Sequence, residues 1–299
     1  QKNLNTGSSF VFGELDISGN KSDLHVKVHT QDGLVDVVYL DEMGLPNLTL
    51  DKTAEKGQFF IINAKPGDYL LTIVDALGQE KGPHFFHLSS NEGLVQKFSA
   101  GELRNIKGQL VSAEKDTVAI SGAKIQLAGS SQAVQTDAYG KFELGPVYVA
   151  CNSQNYLQIE KKDFYRNRVD YKCEDTQESK KYFVFTPEAI DRISAEAGQP
   201  LEPGSAIVLG HKRSKAKEKV QLWGPEDMGD SVNTRGVDFY FGSLGQIDRS
   251  KNLSGPNGNF VILNAPGGFS YLQGFNANKR MNFSWPIFTN TDTINVYIQ

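Results

Sequence analysis

Short runs in which apolar and polar residues alternate recur along this chain. In Leu24-His25-Val26-Lys27-Val28-His29, the leucine and valines fall on one side and His25, Lys27 and His29 on the other. Leu34-Val35-Asp36-Val37-Val38-Tyr39, Lys124-Ile125-Gln126-Leu127, Tyr182-Phe183-Val184-Phe185 and Ile294-Asn295-Val296-Tyr297-Ile298 also read as strands. A period of two marks a half-buried strand, and Gly, Asn, Asp or Pro separates these runs. Such spacing predicts an all-β protein built of sandwiches. One segment differs. From Thr186 to Gly198 the chain carries a capping Thr, Pro at the first helical position, an early Glu188 and a terminal Gly, which together predict a short connecting helix. Its apolar residues Ala189, Ile190, Ile193 and Ala197 share one face, which should dock on a neighbouring sandwich.

The pattern is also written more than once. Gly57-Gln58-Phe59-Phe60-Ile61-Ile62-Asn63-Ala64 matches Gly258-Asn259-Phe260-Val261-Ile262-Leu263-Asn264-Ala265 without a gap, and Val38-Tyr39-Leu40 matches Phe239-Tyr240-Phe241 at the same offset. Pro66-Gly67 and Pro266-Gly267 follow as turns, one residue earlier in the second copy. A shorter third copy lies between them, running from Ile120 through Thr136-Asp137-Ala138-Tyr139-Gly140-Lys141-Phe142-Glu143-Leu144. Asp can bond the backbone two residues on and Gly accepts positive φ, so Asp137 to Gly140 reads as a hairpin turn. Internal repeats of this size predict three units: 1–100, 101–186, and 187–299 including the helix. The chain is also longer than one ordinary core supports.

The middle unit, from Gly108-Gln109-Leu110-Val111 through Ile120-Ser121-Gly122-Ala123-Lys124-Ile125-Gln126-Leu127 to Leu144, resembles the carboxypeptidase regulatory-like family. The resemblance implies a prealbumin-like (Ig-like) Greek-key β-sandwich, a non-catalytic module common in bacterial exported proteins and also found beside catalytic domains of metallocarboxypeptidases. The outer units share only the Gly-x-Phe portion and its Pro-Gly turn, and their first halves depart from the pattern. The family's motifs are structural punctuation and carry over no catalytic residue.

Composition narrows the function classes. With 39% hydrophobic and 22% charged residues the chain can bury real cores, and a net charge of −4 gives no overall positive field for nucleic acid. No apolar run reaches the ~20 residues of a membrane helix. Cys151 and Cys173 lie in one segment. A bridge between them would close a loop worth about 3 kcal/mol and would suit an oxidising compartment; two buried free thiols are the other reading.

Sequence signatures of catalysis are absent: there is no Gly-x-Ser-x-Gly elbow, phosphate loop or His-Glu-x-x-His helix. His25 and His29 lie roughly 13 Å apart along a strand, too far to chelate one ion, and His84 and His87 point to opposite faces. Asp41, Glu42, Glu226, Asp227 and Asp230 sit in turns without calcium-loop spacing. No metal, cofactor or catalytic residue is therefore expected. Two features suit ligand binding: the basic stretch with Lys212, Arg213 and Lys215, and Trp223 ahead of Gly224-Pro225. Trp285, Tyr240, Phe275 and Phe283 are further aromatic candidates in the third unit.

The reading that follows is a non-catalytic, exported bacterial protein that presents loops to a protein or glycan ligand. Its expected location is the periplasm, the outer membrane or the cell surface, with a lipid anchor upstream of Gln1 as one means of tethering. A component of a peptide- or polysaccharide-hydrolysing system, with a site between domains, is the alternative. A deep polar cleft with a carboxylate pair or a metal triad at the domain junction would favour that alternative, while only shallow, uncharged inter-unit grooves would favour binding.

Overall fold

The computed structural model describes residues 8–17, 20–30, 33–99, 101–115, 117–151, 154–173, 180–211, 217–224, 235–241, 246–254 and 258–298. In the first unit, β1 (Ser9–Asp16), β4 (Val37–Leu40), β5 (Pro46–Asn47), β6 (Gln58–Ala64) and β9 (Gly93–Ser99) form one sheet in the order β5-β4-β6-β1-β9. Facing it are β2 (His25–Thr30), β3 (Gly33–Leu34), β7 (Gly67–Val74) and β8 (Glu80–Leu88), ordered β3-β2-β7-β8. Val26 and Val28 of β2 point inward, while His25, Lys27 and His29 are exposed. The enclosed core holds Val11, Leu15, Phe59, Ile61, Leu71, Ile73 and Phe98.

The second unit pairs β10 (Glu102–Ser112), β13 (Lys141–Val149) and β16 (Lys181–Val184) in one sheet, ordered β13-β10-β16. Its other strands are β11 (Lys124–Leu127), β12 (Ala133–Gln135), β14 (Asn155–Glu160) and β15 (Arg166–Tyr171). The helix α1 (Pro187–Ala197) then leads to the third unit. Thr186 Oγ1 accepts the Ala189 N–H, Gly198 closes the helix at φ 65°, and Ala189, Ile190, Ile193 and Ala197 are the buried face. The third unit contains β17 (Ala206–His211), β18 (Lys219–Trp223), β19 (Val237–Tyr240), β20 (Asn259–Ala265), β21 (Gly268–Phe275), β22 (Met281–Thr289) and β23 (Thr293–Ile298). Of these, β18, β21 and β22 form a separate sheet. No helix among the described residues is long and apolar enough to cross a membrane.

Three devices recur in all units, which explains why the same residues are spelled repeatedly. First, each unit's opening strand places a glycine opposite the signature phenylalanine: Gly13 with Phe59, Gly108 with Phe142, Gly210 with Phe260. A Cβ on Gly13 would lie 2.1 Å from Phe59 Cζ, and one on Gly210 would lie 2.0 Å from Phe260 Cζ, so the ring occupies the missing side chain's place. In the middle unit Tyr182 covers Gly108. Second, each opening strand carries the unit's last strand in parallel on its other side: β9 on β1, β16 on β10, β23 on β17. Third, a hydroxyl clasps the entry to the second sheet. The side-chain oxygens of Thr53, Thr136 and Ser254 accept the N–H of Leu24, Ala123 and Glu218 at 3.1, 2.9 and 3.1 Å. In each case the clasping residue's own N–H returns to the same partner's carbonyl. The turn after the long repeat also keeps its register. Gly67 and Gly268 both have positive φ, so the shift suggested by the prolines does not displace the turn.

The second and third units share a sheet. Residues on both sides of the expected 186/187 boundary belong to one eight-stranded sheet, ordered β12-β11-β14-β15-β23-β17-β20-β19. The seam is parallel, with Arg166 opposite Thr293 and Val169 opposite Val296. Where β17, β20 and β23 run, this sheet is covered on both faces. One face, with Ile125, Leu157, Val169, Ile294, Val296, Leu209 and Val261, packs under the β13-β10-β16 sheet and α1. The other, with Val208, Ile262, Phe260 and Tyr297, packs against β18 and β21. Two-sided cover is why β20 buries Phe260, Val261, Ile262 and Leu263 in succession, whereas β6 alternates.

We expect Gly13→Ala and Gly210→Ala each to lower unfolding free energy by about 1–3 kcal/mol, the usual range for overpacking a filled core. Adding Phe59→Leu to Gly13→Ala should recover part of the loss, as measured by urea unfolding in a double-mutant cycle.

Candidate functional site

All three units meet at Arg168. This side chain is 2% exposed, an unusual place for a guanidinium. Its Cζ lies 3.6 Å from the Tyr156 ring centroid and 5.1 Å from that of Phe85, which reaches in from the first unit. Nη1 donates to Asn290 Oδ1 at 3.3 Å. Burial pushes the Arg168 pKa down, and attraction from Tyr156, Tyr297 and Asp170 opposes it. Burial likewise pushes the Tyr297 hydroxyl well above its ordinary range. The cation is thus held by aromatic faces and polar neighbours in place of water. A second contact locks the first unit to the third. Asp68 Oδ2 accepts the Phe269 N–H at 2.8 Å, while Asp68 Oδ1 is 2.7 Å from His87 Nδ1. The His87 ring stacks on Phe269 at 5.5 Å.

β11, β14 and β15 are neighbours within the second unit and the seam sets β23 beside them, which leaves an open groove of about 650 Å³ at one end of the shared sheet. Lys124, Lys161, Lys162, Phe164 and Arg166 come from the second unit, and Thr291 and Asp292 from the third. Four cations face two carboxylates there. Glu160 is already engaged, 3.2 Å from Arg166 Nε and 3.9 Å from Lys124 Nζ. Asp292 Oδ1 accepts the Gly204 N–H at 3.0 Å and so holds the entry to β17. Lys161 lies over the Phe164 ring at 5.8 Å and donates to the Ser121 carbonyl. The groove is therefore a positively charged surface whose carboxylates serve the fold.

None of the residues singled out from sequence is among the described residues that line this groove. Lys212, Arg213 and Lys215 fall outside the described residues, as do Glu226, Asp227 and Asp230. Trp223 ends β18 and is 6% exposed, with its ring 6.1 Å from Phe275. It offers no open face of the kind expected for stacking a ligand, because the strand end on which it sits packs inward. Tyr240 is also interior: its hydroxyl accepts the Val220 N–H at 2.7 Å and donates to Asp238 at 2.9 Å. Phe283 and Trp285 stack at 4.0 Å and are half-buried. Cys151 and Cys173 are bonded, with Cα atoms 5.5 Å apart across a separation of 22 residues. Asp41 Oδ1 accepts the N–H groups of Met43 and Leu45, so that carboxylate shapes its own turn. Among the described residues no group of three or more His, Cys, Asp or Glu side chains is arranged to hold a metal.

The groove escaped sequence reading because Lys124 is remote in the chain from Lys161-Lys162 and Arg166. Only the paired lysines at the β14–β15 hairpin gave a local sign of it.

His84 is buried edge-on to Phe98, with its Nε2 2.7 Å from the Ser99 carbonyl oxygen. Burial lowers its pKa, and the bond to Ser99 opposes this. The folded state thus resists a proton that the unfolded chain accepts near its ordinary value of ~6.5. The stability from this site is complete above that value and declines as pH falls from it toward the depressed folded value. Urea unfolding across a pH series should show His84→Gln losing less stability than the parent between pH ~7 and ~5.

No protein-family model matches this chain, and no curated protein does. The likeness of the middle unit to the carboxypeptidase regulatory-like family therefore stays a resemblance. Among solved structures, the Bacillus anthracis TIE protein is similar at 11% identity and TM-score 0.22, covering 98% of this chain and 50% of that one. This chain thus spans half the length of that protein. The shaft pilin spaA from Lactobacillus rhamnosus GG is similar at 9% identity and TM-score 0.23, covering 60% of this chain and 98% of that one. A streptococcal ancillary pilin is similar at 12% identity and TM-score 0.20, covering 97% and 98%. At such scores these likenesses carry no argument about function, and the all-β sandwich architecture rests on the strands themselves.

Proposed function

We propose that this chain is an exported, non-catalytic binding or scaffold protein of the bacterial cell envelope, whose three sandwiches act as one rigid body. Its ligand is an anionic glycan or an acidic protein segment, held in the groove between the second and third units. The observation that carries this reading is the groove's construction, since Lys124, Lys161, Lys162 and Arg166 converge on Thr291 and Asp292 only through the β15–β23 seam. Lys124 and Arg166 stand on strands and Lys161, Lys162, Thr291 and Asp292 in the adjoining turns, and loops held by a rigid scaffold are where contacts are usually made. The Cys151–Cys173 bond supports export, because such bonds persist in oxidising compartments. The groove is charged, unlike the uncharged grooves expected of a binding protein, but both of its carboxylates are engaged, Glu160 with Arg166 and Asp292 with the Gly204 N–H, which supports binding over catalysis.

The test uses immobilised acidic polysaccharide and acidic peptide as probes. Lys124→Ala, Lys162→Ala and Arg166→Ala combined should weaken retention by about tenfold or more, and added salt should weaken the parent in the same way. Undiminished retention by that variant would contradict the assignment. If a Lys212→Ala, Arg213→Ala, Lys215→Ala variant lost binding instead, the contact would belong to the basic stretch expected from sequence.

A further inference from the structure

The third unit's seam has an unused counterpart on the first unit. Gly13 and Gly210 play the same part, opposite Phe59 and Phe260, so the strands aligned with them correspond. Gln96 lies opposite Gly13 on β9, and Tyr297 lies opposite Gly210 on β23, which makes Val95 the counterpart of Val296. The faces correspond as well: Phe10, Phe12, Phe60 and Ile62 match Ile207, Leu209, Val261 and Leu263. In the third unit this face is buried under α1 and the second unit's core. In the first unit, among the described residues, Phe10 is 36% and Val95 74% exposed, Phe12, Phe60 and Ile62 are half-buried, and β9 is the sheet's terminal strand.

The complementary edge exists on the same chain. Ile125 and Val220 each follow the clasped residue by two, and they pair with Ile159 and Gly274, which pair in turn with Asn167 and Phe283. Val169 of the seam strand therefore corresponds to Trp285 on β22. Among the described residues that strand is the terminal strand of its sheet, and it carries the half-buried Phe283–Trp285 stack. Pairing in the internal seam runs from Arg166 to Val169, whose counterparts are Asn282 to Trp285. Pro286, which lacks an N–H, falls just past that stretch, where no ladder bond is needed.

We propose that β22 of one copy adds in parallel to β9 of a second copy, with Trp285 opposite Val95, and that copies join head to tail by repeating the internal seam. A terminal strand beside an apolar face is a ready template for another chain. Since the two surfaces differ, the contact is heterologous and leads to open arrays. Unlike the anionic-ligand reading, this association does not use the groove.

Sedimentation velocity over a wide concentration range should show reversible growth beyond the monomer. Val95→Lys, a change at an exposed side chain, should weaken that growth by about tenfold or more without altering the unfolding midpoint. Single variants Val95→Cys and Trp285→Cys, oxidised with the native bridge intact, should cross-link when mixed and not when kept apart. A monomer at every concentration, growth unaffected by Val95→Lys, or cross-linking of Val95→Cys with itself would each overturn the proposal.

Discussion

Every β-sheet ends in two rows of unpaired backbone donors and acceptors, and a chain of separate sandwiches would expose such rows at each unit. The parallel pairing of β15 with β23 removes two of these edges at once. Much of the remaining structure follows from it. The shared sheet must be covered on both faces, so α1 is needed on one and β18 and β21 on the other. The last strand must return between units two and three, which ties the end of the chain to its middle. The basic groove is the open end of the same seam.

The first unit is held differently, by side chains. Phe85 is set against Arg168 and Tyr156, and Asp68 and His87 grip Phe269. A buried guanidinium is costly to desolvate and very sensitive to the loss of a partner, so it rewards one arrangement of its neighbours over all others. Here the neighbours come from different units, and the charge thereby specifies how the units sit against each other. A purely apolar junction would adhere with less angular discrimination.

Much of the architecture was legible because it is local. Alternation in 24–29 and 124–127 identified strands, Thr186-Pro187 and Gly198 bounded the helix, and the Gly-x-Phe repeat located the units. The phenylalanine's partner glycine was not recognised, since Gly13 and Gly210 are distant in sequence from Phe59 and Phe260. The seam was hidden for a similar reason. Ala206-Ile207-Val208-Leu209 and Val261-Ile262-Leu263 are continuous apolar runs, the mark of strands covered on both faces, but a run does not say which strand lies beside it. Aromatic content suggested Trp223 as a platform, while burial used it to close a strand end. Charge density pointed to 212–215, whereas the described groove takes Lys161, Lys162 and Arg166 from the β14–β15 hairpin and adds Lys124 from β11 and a wall from the third unit, which no window of sequence brings together.

The β15–β23 pairing joins the second and third units into one cooperative body. Native-state hydrogen exchange at the amides of β14, β15, β17, β20 and β23, followed with increasing denaturant, tests it most directly. These amides should converge on a single opening free energy. Separate opening of the β14–β15 amides and the β17–β20 amides, each with its own denaturant dependence, would contradict it.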